Sequence, residues 1–142
     1  MRAVRLCSRR FPNLDGEGAR ITGGRWNSPG RPVVYAASCG ALAALEYMVH
    51  MKQLPKDMVL LLIEIPSTLR WQNLTWMPGD PAATRQVGDE WLNSEETAVM
   101  RVPSALIPNQ SDYLLNPRHR LFDSIQVVEV TPFAFDTRYM VF

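Results

Sequence analysis

Arg25, Tyr35 and Glu46 are the residues whose types and spacing point to chemistry. Arg25 follows Gly23 and Gly24 directly, and glycines let a backbone approach a ligand closely. A guanidinium on such a loop can hold a diphosphate through paired hydrogen bonds; the alternative is a solvated loop arginine. Tyr35 ends an apolar run, where its ring can stack on a nicotinamide or adenine face or serve as a core tyrosine with a satisfied hydroxyl. Glu46 is a lone carboxylate within an apolar helical run, at the border of the expected buried face. A carboxylate there costs free energy unless it is paired, for instance with an arginine. Aimed at a sugar, it can accept from ribose hydroxyls and stabilise an oxocarbenium-like transition state. The three types together suit the handling of a nicotinamide dinucleotide without redox chemistry.

Other candidates are weaker. Ser104 lies between Pro103 and Ala105, lacks the G-x-S-x-G elbow of a serine nucleophile, and can still give or take one hydrogen bond in a site. Neither G-x-G-x-x-G nor G-x-x-x-x-G-K-[ST] occurs, so redox use of a dinucleotide has no support. His50 and His119 stand apart from other ligand types, as do Cys7 and Cys39. No metal site is expected, and the two histidines read as structural or surface residues. Glu95 and Glu96 are adjacent; on a strand they would point to opposite faces, which is poor geometry for paired acid–base work.

The elements that must position these groups fit one domain over residues 1–142, long enough to bury a core. A formal net charge of +1 gives no long-range pull toward nucleic acid or an anionic membrane. The most apolar run, Met58–Ile65, is 8 residues long and carries Glu64, far short of a span. The N-terminus carries no signal-peptide pattern, and two unpaired cysteines suit a reducing compartment. A cytoplasmic protein that binds neither nucleic acid nor membrane is expected.

Residues 1–11 read as a short strand entering a basic turn, and the glycine-rich stretch 12–30 as a long loop. Residues 31–37 read as a strand. Ser38 is a suitable cap for a helix running to about Lys52, with Leu42, Leu45 and Val49 as its apolar stripe. Met58–Ile65, between two prolines, has the pattern of a buried central strand. Residues 66–90 show no clear period and suggest short helical pieces, with a helical turn at 89–92. Residues 96–106 read as a strand broken near Pro103. Residues 107–120 read as polar loop with Asn116-Pro117 opening a helical turn, and 123–135 as a closing strand. The sum is an α+β domain of central strands with few helices.

Taken in order, these segments resemble the RES domain family. The likeness runs through Leu14–Ala19, Gly23-Gly24-Arg25-Trp26-Asn27, Val33-Val34-Tyr35, Ala44-Leu45-Glu46, Val102–Pro108, Asn116-Pro117, His119 and Pro132–Arg138. The family's arginine, tyrosine, glutamate and serine match Arg25, Tyr35, Glu46 and Ser104, with Trp26 and Asn27 beside the arginine. The resemblance implies an ADP-ribosyltransferase-like (diphtheria-toxin-like) fold. It also implies a toxin of a bacterial toxin–antitoxin pair that degrades NAD at the nicotinamide–ribose bond, by hydrolysis or phosphorolysis. Some members transfer ADP-ribose to a protein instead. Catalysis would fall to Glu46, Arg25 and Tyr35, and NAD binding to Arg25, Tyr35, Ser104, Trp26 and Asn27. NAD would be substrate, with no cofactor. The implied partner is an Xre-type antitoxin that blocks the active site, with a homodimer inside the toxin–antitoxin complex.

Overall fold

The computed structural model describes residues 1–140; the expected domain boundary at 142 lies outside them. Seven strands form one mixed sheet: β1 (Arg2–Ser8), β2 (Val34–Ala37), β3 (Met58–Glu64), β4 (Trp71–Asn73), β5 (Val99–Pro103), β6 (Ser111–Leu115) and β7 (Gln126–Phe133). Their order is β4-β5-β6-β2-β1-β3-β7. Among the described residues only the β4–β5 pair is parallel; the other pairs are antiparallel. The helices are α1 (Glu17–Thr22), α2 (Gly40–Met48) and α3 (Pro81–Ser94), with short 3-10 turns at Phe122–Ser124 and Thr137–Met140. The expected α+β class, central strands with few helices, is the observed one.

The apolar run 58–65 forms the buried interior strand β3, though it lies one place from the edge of the sheet and not at its centre. β3 is paired along its whole length with β1 on one side and β7 on the other. Side chains alternate across a pleated sheet, so each face gathers its own core. Ala3, Cys7, Val34, Ala36, Val59, Leu61, Val99, Tyr113 and Leu115 share one core with Phe122 and Ile125. The opposite face carries two clusters. Met100, Val102, Leu114 and Tyr35 pack with Trp91 and Leu92 of α3 and with Trp26. Leu6, Met58 and Leu60 pack with Ala44, Tyr47 and Met48 of α2. Thus α2 and α3 cover the same face of the sheet over different strands, and a cleft is left between them.

Several expectations about elements are corrected. Residues 12–30 include α1, a helix too short to show a period. Residues 81–94 form α3, one helix of 14 residues rather than short pieces. Asp80 caps it by accepting from the Ala83 N–H at 2.9 Å, and Pro81 opens it, where a missing N–H costs nothing. Its apolar period is interrupted by polar residues, so tertiary contact decides the fold there. Residues 111–115 form β6, not loop, and β6 lies between β2 and β5 inside the sheet. The strand expected over 96–106 is confined to Val99–Pro103, where Pro103 ends it. Asn116 caps a turn by accepting from the Arg118 N–H at 3.0 Å, without opening a helix at 117.

The α2 stripe also turns. Leu45 and Val49 are 38% and 54% exposed, while Leu42 and Ala44 are buried. The sheet selects the face of α2 carrying Ala43, Ala44 and Tyr47, and Leu45 and Val49 fall on the far side. The capping position belongs to Cys39, with no side-chain cap, not to Ser38. Glu46 still lies half-buried at the border of the covered face, next to the cleft.

Candidate active site

The loop before β2 is locked from several directions, and Arg25 projects from it. The Gly24 N–H donates to the Asn27 carbonyl at 3.0 Å, closing a tight turn around Arg25 and Trp26. Inside that turn the Asn27 side chain is fully buried. Its amide donates to the carbonyls of Ala19 and Arg31, each at 2.9 Å. Its Oδ1 accepts from the Tyr35 hydroxyl at 2.6 Å, and the Trp26 N–H donates to that same hydroxyl at 2.9 Å. Trp26 is 2% exposed and packs beneath α3. A Cβ on Gly24 would lie 2.7 Å from the Tyr35 hydroxyl, so only glycine leaves room for this bridge.

Helix α3 closes on the loop from outside. Both Asp89 carboxylate oxygens are taken by Ser28, whose N–H donates at 2.9 Å and whose hydroxyl donates at 2.6 Å. The Arg31 Nε stands 3.5 Å from the same carboxylate. From β1, Arg5 donates to the Tyr35 carbonyl at 2.9 Å, beside a β1–β2 ladder that pairs only Val4 with Ala37. Burial, the largest influence, pushes the Tyr35 hydroxyl well above its ordinary range; Asp89 adds to this, and the Trp26 N–H and Arg25 oppose it. Tyr35 is a neutral phenol whose hydroxyl is committed to the loop.

Glu46 and Ser104 meet although 58 residues separate them: the Ser104 hydroxyl donates to Glu46 Oε1 at 2.8 Å. The Ser104 Oγ in turn accepts from the Leu106 and Ile107 N–H groups, each at 3.2 Å. Those two donors occupy the acceptor side of the hydroxyl and aim its proton at the carboxylate. The turn after β5 is thereby built to present one O–H to α2.

Arg25 is exposed, and no hydrogen bond or ion pair to its guanidinium occurs among the described residues. With Ser104 and Ala105 it lines a cavity of about 440 Å³, closed by residues 77–81 and Thr84 at the start of α3. A larger cavity, about 570 Å³, lies past the end of α2 between Tyr47 and Lys56. It holds no carboxylate or arginine, and the candidate residues gather at the smaller one.

The fold therefore brings Arg25, Glu46 and Ser104 to one cleft, with Tyr35 directly behind the arginine. Trp26 and Asn27 sit inside, as the frame of the loop. Asp112, which no motif marked, completes the group. It lies on β6 opposite Ala37 and opposite Val102 of β5, which comes two residues before Ser104, and its carboxyl faces that of Glu46. The available signal was the short apolar run Tyr113-Leu114-Leu115, masked by the polar residues before it. Glu95 and Glu96 are exposed in the turn after α3, away from this cleft. His119 is buried, and its Nδ1 accepts from the Leu121 N–H at 3.1 Å, a structural role; His50 is exposed. Among the described residues no group of His, Cys, Asp and Glu could hold a metal ion, and no helix is long and apolar enough to cross a membrane.

The family model described as RES domain matches residues 2–136. The chain belongs to the RES domain family. Its relatives carry toxin names. "Toxin Res" of Pseudomonas putida is 40% identical over 132 residues, covering 86% of this chain and 91% of that protein. "Toxin Res" of Yersinia enterocolitica is 37% identical, covering 97% and 99%. The "Prs ADP-ribosylating toxin" of Sphingobium sp. is 37% identical, covering 89% and 86%. Among solved structures, the MbcT–MbcA toxin–antitoxin complex of M. tuberculosis contains a chain with the same fold. It matches with a TM-score of 0.75 at 18% identity, over 94% of this chain and 84% of that one. The RES domain described here is thus a member of a toxin family, with Arg25, Glu46 and Ser104 around one cleft.

Proposed function

We propose that this RES domain cleaves NAD at the nicotinamide–ribose bond, as the toxin of a toxin–antitoxin pair. The observation that carries this reading is the Ser104–Glu46 bond of 2.8 Å at a cavity that Arg25 also lines. An open guanidinium and an oriented carboxylate are the two groups a pyridine dinucleotide needs at its diphosphate and its ribose.

In this reading Arg25 holds the diphosphate. Glu46, held by Ser104, accepts from a ribose hydroxyl and stabilises the positive charge that develops as the glycosidic bond breaks. The bond's electron pair leaves with the nicotinamide, which passes from cationic pyridinium to neutral base. No general acid is required, so one ionised carboxylate suffices where a glycosidase needs two carboxyl groups. Tyr35 offers the nicotinamide nucleoside its ring from behind the arginine loop, while Trp26 and Asn27 serve binding by holding that loop. The acceptor is water or inorganic phosphate. A partner antitoxin of the Xre type covers the cleft, a proposal supported by the toxin–antitoxin complex with the same fold.

A second reading keeps the same NAD site and transfers ADP-ribose to a protein. The relative named an ADP-ribosylating toxin favours it.

Purified protein, freed of any partner, is incubated with NAD, and nicotinamide release is followed with and without phosphate beside Glu46→Gln. The expected result is release by wild type and a loss on the order of a hundredfold or more in Glu46→Gln. NAD left intact by the wild type would overturn the reading. Labelled ADP-ribose on a protein rather than free in solution would select the second one.

A further inference from the structure

We infer that Asp112 is a positioning residue for Glu46, and that the two carboxyl groups hold one proton between them. This rests on the reading of Glu46 as the catalytic carboxylate. Asp112 is fixed by its strand: β6 is hydrogen-bonded on both sides, with Ala37 of β2 and Val102 of β5 opposite Asp112. Its Oδ1 is buried and has no donor among the described residues. Its β5 partner Val102 lies two residues before Ser104, whose hydroxyl binds Glu46 Oε1, so the Asp112 carboxyl is set beside that of Glu46. Two carboxylates in contact cannot both ionise without strong repulsion, and a proton between them converts that repulsion into a bond.

The charged and titratable groups facing Asp112 are Glu46 from α2 and Arg25 from the loop before β2; its strand partners Ala37 and Val102 bring no charge. Burial, first, and then the bond to Glu46 and its charge push the Asp112 carboxyl up to about 8, with Arg25 pulling the other way. At neutral pH the pair then carries a single negative charge. Glu46 receives two hydrogen bonds, from Ser104 and from Asp112, and its remaining lone pairs are left for the ribose. Once the pair loses its proton, two negative charges draw Arg25 inward and compete with the diphosphate for it.

The experiment has two arms. In the first, infrared difference spectra of the NAD-free protein follow the carbonyl stretch of a protonated carboxyl group between pH 5 and 10, in wild type and Asp112→Asn. The proposal expects a band that disappears near pH 8 in wild type and is missing from the variant. No protonated carboxyl at pH 7, or a band unchanged in Asp112→Asn, overturns it. In the second, kcat and KM for nicotinamide release are measured across the same range. Wild-type KM should rise above pH 8. Asp112→Ala should lose on the order of tenfold in kcat at neutral pH, the scale of one hydrogen bond to a charged group. Asp112→Asn, whose amide donates to Glu46 at every pH, should recover that loss and show a flat KM. An Asp112→Asn profile that rises with pH as in wild type also overturns the proposal. An intact infrared band in a protein that never cleaves NAD would remove the catalytic reading and leave the shared proton standing.

Discussion

Gly88 of α3 lies against the carbonyl of Trp26 so closely that a Cβ there would stand 1.7 Å from the oxygen. The helix therefore meets the arginine loop backbone to backbone, and one residue later Asp89 binds Ser28 with both its oxygens. The position of Arg25 is decided by how near α3 can come.

Gly88→Ala sets two effects against each other. Alanine in mid-helix gains about 1 kcal/mol of propensity over glycine. Forcing a methyl group into a filled space costs about 1–3 kcal/mol, and here the obstacle is backbone that cannot rotate away. The clash should win. The expected outcome is a lower urea midpoint at unchanged m-value, with a raised KM for NAD because α3 retreats from the loop. A midpoint equal to or above wild type would show that the helix can shift freely.

Tyr35→Phe keeps the ring and removes the hydroxyl that accepts from Trp26 and donates to Asn27. It strands a buried N–H and a buried carbonyl oxygen, at a cost of about 1–3 kcal/mol in stability. Thermal or urea unfolding measures that. If nicotinamide release in the folded variant stays at the wild-type rate, ring packing alone is what the site uses; a slower rate assigns the hydroxyl's hold on the loop to catalysis.

Arg25→Ala should raise KM for NAD by one to two orders of magnitude, on the scale of about 1.5–3 kcal/mol for hydrogen bonds to a charged group. Stability should barely move, because the side chain is exposed. Arg25→Lys should recover little, since an ammonium cannot present the planar fork that grips a diphosphate. Unchanged kinetics in both variants would place the diphosphate elsewhere.

The stability of the protein should also report on Asp112. Its carboxyl, ordinarily at 3.8, is pushed up to about 8 by burial and then by Glu46. Between those values the folded chain holds a proton that the unfolded chain has lost, so rising pH across this window favours unfolding. The difference in Tm between Asp112→Asn and wild type should therefore shift toward the variant from pH 4 to 8 and level off above it. A difference that is constant with pH refutes the raised value.

Much of the site could be read from the chain because its parts are local. Gly23-Gly24-Arg25-Trp26-Asn27 is one tight turn, and β3 is a continuous apolar run between prolines. Glu46 stood out as a carboxylate in apolar company, and the ordered motifs assigned the family. The sequence by itself determined the chemical types present, the family and the α+β class. Tertiary structure decided which face of α2 is covered, because the sheet chose Ala43, Ala44 and Tyr47 over the stripe of Leu45 and Val49. It decided that residues 81–94 are one helix, since Gly88 and Asp89 earn their places only against the arginine loop. And it alone revealed Asp112, whose role depends on a carboxylate 66 positions away in the sequence. Local pattern records what a residue is next to along the chain. Proton sharing and close backbone contact depend on distances in space, which only the packed sheet and helices fix.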